Sequence, residues 1–146
     1  MNIFFKSLTI AMLAVLSSCA SDPMARQDQD AASKTFAAPS ANMAGIYIYR
    51  NSPIEEKVAK RLSIDSVVIG ETVNKVYFHK EVTPGEHTLT TQGEFLDNSV
   101  KITVKAGKNY FFEQSIKIGT FKGNPVIKSV SEADGKQNVL ECSEGR

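Results

Sequence analysis

The chain has 146 residues, 42% hydrophobic and 23% charged, close to ordinary globular usage and enough for one domain. Of its 17 Lys and Arg residues only Lys6 lies within residues 1–18, so beyond that point 16 basic groups face 16 acidic ones, which removes the electrostatic basis for nucleic-acid binding. Two cysteines, Cys19 and Cys142, are too few for a disulfide framework and allow one bond at most, provided that Cys19 keeps a free thiol.

Residues 1–6 carry one positive side chain and the amino terminus. Ser7 to Leu16 is then apolar apart from Ser7 and Thr9. At a rise of 1.5 Å per residue that run spans roughly 15 Å of a ~30 Å hydrocarbon core, too little for a stable transmembrane helix. A helix packed on a domain would need a polar face and a cap, and the run has neither. Its charge, length and small-residue ending match a secretory signal. Leu16-Ser17-Ser18-Cys19 resembles the signal box of bacterial lipoproteins: a branched apolar residue, two small residues, then cysteine. Small side chains let the strand enter a signal peptidase, and the thiol is the nucleophile that takes a diacylglyceryl group. Cleavage after Ser18 frees an amine on Cys19 for a further acyl chain. At ~0.8 kcal/mol per buried CH₂, two chains suffice for stable anchoring. The resemblance thus implies a signal peptide over residues 1–18, lipid on Cys19, and a Cys142 thiol left without an internal partner. It also implies sorting through Ala20. Asp at that position retains lipoproteins of enteric-type bacteria in the inner membrane, so Ala20 points to the outer membrane, with the domain facing the periplasm.

Residues 19–43 form the lipidated end and its spacer. From Ala20 the text reads ASDPMARQDQDAASKTFAAPSANM, rich in small and polar residues, with Phe36 as its one aromatic. No apolar period survives, so a flexible tether is expected, with a reach of roughly 25–30 Å.

From Ala44 to Ser131 the pattern has period two and no long helical period. In AGIYIYR, Ile46 and Ile48 oppose Tyr47 and Tyr49. In RLSIDSVVIG, Asp65-Ser66 makes a turn between two short strands. KVYFHKEV and EHTLTTQ flank Thr83-Pro84-Gly85-Glu86, where Pro then Gly fits a type II turn and a hairpin. Val100, Ile102 and Val104 alternate with lysines and Thr103 up to a bend at Ala106-Gly107, and Tyr110, Phe112, Ile116 and Ile118 continue beyond it, predicting a second hairpin. NPVIKSVS adds a further strand. Ser52 and Pro53 fit the start of one helical turn within residues 50–60. The expectation is an all-β fold, a single small β-sandwich of about seven short antiparallel strands over 44–131, with a tail over 132–146 that Gly135 interrupts and Val139 and Leu140 dock.

IYIYR at 46–50, IDSVVIG at 64–70, VYFHKEVTPGEHTL at 76–89 and KAGKNYFFE at 105–113 together resemble a family of small bacterial lipoprotein domains of unknown function, domain of unknown function 2846. The order of motifs over residues 44–131 carries the resemblance. Asp65-Ser66 departs from the Asp-Gly usual there. The resemblance implies fold and compartment and brings no catalytic residues.

His79 and His87 invite a metal site, but a regular hairpin about Pro84-Gly85 places them on opposite faces, where they cannot share an ion. The serines lie in turns and outward strand positions with no Gly-x-Ser-x-Gly elbow, and neither a phosphate loop nor a dinucleotide fingerprint is present. No enzyme, metal or cofactor is therefore expected. In a sandwich one member of each adjacent aromatic pair must face outward, so Tyr47, Tyr49 and Phe111 are candidates for a partner or ligand surface, against the alternative of packing under the tail. The functional expectation is a non-enzymatic, membrane-anchored envelope protein with a protein-binding or structural role in the periplasm. The alternative is a glycan-binding module for peptidoglycan or lipopolysaccharide.

Overall fold

A computed structural model describes residues 23–54, 57–117 and 124–145. Helix α1 (Pro23–Ser33) precedes strands β1 (Ala44–Arg50), β2 (Lys60–Ile64), β3 (Val67–Thr72), β4 (Val76–Val82), β5 (Gly85–Thr91), β6 (Asn98–Val104), β7 (Asn109–Lys117) and β8 (Asn124–Val130). Helix α2 (Glu132–Leu140) and the short β9 (Ser143–Glu144) follow. Sheet I has the order β8-β7-β1-β4-β9 and sheet II the order β3-β2-β5-β6. The expected all-β sandwich is thus the fold. It has nine strands among the described residues rather than about seven, and two neighbours, β1–β7 and β4–β9, run parallel rather than antiparallel.

Local chemistry fixes one hairpin as expected. Asp65 and Ser66 both take positive φ, 50° and 69°, the backbone of a type I′ turn whose twist matches the β2–β3 ribbon. Two other hairpins are corrected. Thr83-Pro84 separates β4 in sheet I from β5 in sheet II, and Ala106-Gly107 separates β6 in sheet II from β7 in sheet I. Both are corners that carry the chain from one layer to the other. Pro84 has no N–H to continue a ladder, and Gly85 at φ 135° turns the chain out of sheet I. At the second corner Gly107 donates to Met43 O at 2.8 Å and Gly45 to Lys108 O at 3.0 Å, so the chain is recruited to the start of β1 instead of to β6. Ser52 accepts from the Ile54 N–H at 3.4 Å, and the described part of residues 51–59 contains no helix.

Between the sheets lie Ile46, Ile48, Phe78, Phe112 and Ile127 from sheet I and Leu62, Ile64, Leu89 and Val104 from sheet II. One end of this layer is polar. Gln114 on β7 donates to Thr91 Oγ1 at 2.6 Å and accepts from the Thr72 hydroxyl, joining both sheets through three fully buried groups. Arg50, also fully buried, reaches from the end of β1 to Val58 O at 2.7 Å and Ile54 O at 3.2 Å, folding the β1–β2 connection back onto the sandwich. Among the described residues no helix is long and apolar enough to cross a membrane.

Candidate functional site

The register of sheet I lays out its outer face in rows. Val130, Phe111, Tyr47 and His79 stand side by side across β8, β7, β1 and β4. The next row holds Lys128, Glu113, Tyr49, Tyr77 and Glu144, and on the other side lie Asn109, Gly45 and Glu81. Period-two alternation dictates this face once the isoleucines of β1 point inward. The Tyr47 ring stacks on His79 at 4.2 Å between centroids and on Phe111 at 4.9 Å.

These aromatics are not outward platforms. Tyr47, Tyr49 and Phe111 are each no more than 2% exposed, which agrees with the alternative of packing under the tail rather than with an exposed partner surface. Two segments cover them. Helix α2 begins at Ser131, whose hydroxyl accepts from the Asp134 N–H, and it brings Val139 and Cys142 against Tyr49 and Phe111. A Cβ on Gly135 would meet Phe111 Cβ at 2.3 Å, so the glycine that breaks the pattern of the tail is what allows its close approach. Val139 docks as expected, but Leu140 is 56% exposed and does not.

The second cover is the segment expected to be a flexible tether. After α1 it crosses the face without regular secondary structure. The Tyr77 hydroxyl donates to Asp30 Oδ1 at 3.0 Å, the Glu144 N–H donates to the same oxygen at 2.9 Å, and the Tyr47 hydroxyl donates to Ser33 O at 2.9 Å. Asn109 Nδ2 donates to Phe36 O at 3.2 Å and Ala37 O at 2.9 Å, and Ser40 N–H donates to Glu81 Oε1 at 2.9 Å. The Phe36 ring sits 5.5 Å from Tyr47 and 5.8 Å from Phe111, with Lys136 Nζ 5.6 Å away on α2. Composition alone missed this segment because polar groups of the sheet, not an apolar stripe of its own, hold it. The available signals were Phe36, the one aromatic in it, and Gly45, an isolated glycine in a strand that marks a close approach. A Cβ on Gly45 would meet Asn109 Oδ1 at 2.1 Å.

Burial sets the electrostatics of the covered face. It pushes the Tyr47 and Tyr49 hydroxyls up to about 12 and the Cys142 thiol up to about 11, with Glu144 adding to Tyr47 and Glu113 to Tyr49. Burial likewise lowers His79, keeping its ring neutral, and raises Glu144. For Asp30 burial works upward, but Lys34 at 2.8 Å, the Tyr77 hydroxyl and the Glu144 N–H outweigh it and hold the carboxyl low. Two buried polar atoms under the cover, His79 Nε2 and Asn109 Oδ1, have no hydrogen-bond partner. Such an atom costs about 1–3 kcal/mol. Phe36 itself takes φ 52°, a left-handed conformation costing a bulky residue about 1–3 kcal/mol.

The two histidines separate further than the hairpin reading placed them, since His79 is in sheet I and His87 in sheet II. His87 Nδ1 meets Asp65 Oδ2 at 2.6 Å and Nε2 meets Thr83 O at 2.7 Å, tying the β2–β3 turn to the β4–β5 corner. Among the described residues no group of three or more His, Cys, Asp or Glu side chains is placed to hold a metal ion. Cys142 is a free, buried thiol. Ser18, Cys19 and Ala20 lie outside the described residues.

The chain is 37% identical over 142 residues to a protein of Haemophilus influenzae described as uncharacterized, a match that covers 97% of this chain and 84% of that one. It therefore takes in α1, the crossing segment and α2 as well as the sandwich. No solved structure matches the chain. The profile of the family described as "Protein of unknown function (DUF2846)" matches residues 40–126, from the last residues of the crossing segment into β8, and the chain belongs to that family.

Proposed function

We propose that the chain is a lipid-anchored envelope protein that holds its sandwich against the periplasmic side of the outer membrane and engages a protein partner there, without catalysis. The observation that carries the reading is the Leu16-Ser17-Ser18-Cys19 box behind a basic start and a short apolar run. The fold gives the anchor a specific consequence. Helix α1 begins at Pro23, four residues after Cys19, and four residues of chain span at most ~14 Å. A lipid on Cys19 therefore keeps the folded domain beside the bilayer rather than on the long leash that an unstructured 19–43 would give.

Fractionation of cells carrying the wild type and Cys19→Ser tests the anchor. The wild type should sediment with membranes and carry acyl chains by mass spectrometry. The Cys19→Ser chain should keep its signal peptide and carry no lipid. Lipid-free wild type, or acylation that survives Cys19→Ser, ends the anchoring claim. Site-specific crosslinking in intact cells tests the partner.

A further inference from the structure

We propose that residues 27–40 are a releasable lid on the aromatic face of sheet I, and that the slot under Phe36 accepts, in its place, an aromatic side chain from an acid-bearing peptide segment. The first ground is how the segment is held. None of residues 27–43 is buried; Phe36 is its hydrophobic side chain packed on the covered aromatic cluster, and Lys34 Nζ lies over the Tyr77 ring at 5.8 Å. The remaining contacts are hydrogen bonds spaced along the chain at Asp30, Ser33, Phe36, Ala37 and Ser40, each of which water can replace.

The second ground is that the closed state is internally costly. Phe36 sits at positive φ. Asn109 turns its Nδ2 to the carbonyls of Phe36 and Ala37, which leaves its Oδ1 over Gly45 without a partner, and His79 Nε2 nearby is buried and unpartnered too. Opening the lid relieves all three, since Phe36 regains an ordinary backbone and both polar atoms reach water. Strain of this kind clusters at ligand clamps and switch regions.

The third ground is that the sheet keeps its own architecture beneath. Tyr47, Phe111 and His79 are fixed by the ladders of β1, β7 and β4 and by mutual stacking, so an open lid leaves a formed slot. The lid itself spells out what the slot takes: a ring between Tyr47, Phe111 and Lys136, two consecutive carbonyls for Asn109 Nδ2, and a carboxylate six residues before the ring for the Tyr77 hydroxyl and the Glu144 N–H. This deepens the protein-binding half of the function proposed above and is independent of the lipid.

The test uses the full processed chain in detergent and a fluorescent peptide of residues 27–42. Hydrogen exchange on the wild type should show the amides of 27–40 exchanging about a hundredfold or more faster than those of β1, the mark of local opening. Phe36→Ala should speed lid exchange further while β1 protection stays. With the tethered competitor weakened, the Phe36→Ala chain should bind the peptide about tenfold or more tightly than the wild type does, and a peptide carrying Phe36→Ala should bind neither. Lid amides that exchange only at the β1 rate overturn the proposal, as does equal or absent peptide binding by the two chains. So does collapse of β1 protection in both Phe36→Ala and the milder Phe36→Leu, because the segment would then be part of the core. A lid that opens and binds the peptide while crosslinking finds no partner would defeat the functional reading alone.

Discussion

Gln114 sits at the junction of both sheets, where an apolar side chain would be the ordinary choice. Its amide joins Thr91 and Thr72, and the Lys60 carbonyl lies 3.2 Å from the same Thr72 hydroxyl. Truncation strands the Thr91 hydroxyl in a dry layer. Gln114→Ala is expected to cost about 2–4 kcal/mol in a urea titration, with an unchanged slope. His87 presents a different residue-scale case. Both ring nitrogens face acceptors, so the doubly protonated ring fits the site best, and the bond to Asp65 raises His87 above 6.5 against the opposing pull of burial. Asp65 is lowered below 3.8 by the same bond and by the Thr88 N–H. The His87 contribution is complete below about pH 6.5 and fades as pH rises through its folded value, whereas the Asp65 contribution is present above about pH 3.8 and fades as pH falls through its own. Stability of the wild type relative to His87→Gln should therefore be greatest between those limits. Paired urea titrations at about pH 5 and about pH 9 measure it, and an unchanged difference would show that the ring is neutral throughout.

At the scale of elements, α2 carries the most specific contact. Its buried face rests on Gly135 against Phe111 and on Val139, while Asn51 donates to Asn138 Oδ1 at 2.8 Å and Lys75 pairs Glu141 at 2.8 Å from outside. Gly135→Ala puts a methyl where Phe111 already is. Although alanine favours a helix, the substitution should destabilise the chain by about 1–3 kcal/mol and loosen α2. Cys142, just beyond α2, reports on it. Buried and with its thiol raised to about 11, it should react with a thiol reagent at least about tenfold more slowly than an exposed cysteine in the wild type, and faster in Gly135→Ala. Equal labelling rates in the two chains would mean that the methyl is absorbed without moving the helix. The strands themselves were legible in the sequence because alternation of apolar residues and the turn residues at 65–66, 84–85 and 106–107 fall where the backbone requires them. Whether a turn closes a hairpin or a corner was not legible. Pro-Gly and Ala-Gly reverse the chain in both cases, and only the competing partner decides. β1 sits between β4 and β7, taking both away from their sequence neighbours β5 and β6.

Across the whole molecule, the covered face of sheet I joins the N-terminal segment to the sandwich. α1 and the crossing segment lie between residue 19 and β1, so under the anchoring proposed above any pull between lipid and domain would pass through the bonds at Asp30, Ser33 and Asn109 before it reached the sheet. This placement is why the three aromatics singled out from sequence, Tyr47, Tyr49 and Phe111, form a site only in relation to their cover. Sequence located them correctly on one face, because strand periodicity is a local property. It could not show what lies on that face, since a polar segment held by tyrosine hydroxyls and an asparagine carries no apolar period to betray its docking.

By itself the sequence determined the class of fold and the positions of most of its strands, which depend on residues close together in the chain. Tertiary structure alone decided which strands share a sheet, that His79 and His87 belong to different layers, and that residues 23–43 fold back over the aromatics. Those outcomes rest on contacts between residues tens of positions apart, such as Asp30 with Glu144 and Phe36 with Phe111. Their energies depend on what each partner would otherwise leave exposed or unpaired, which no local stretch of sequence encodes.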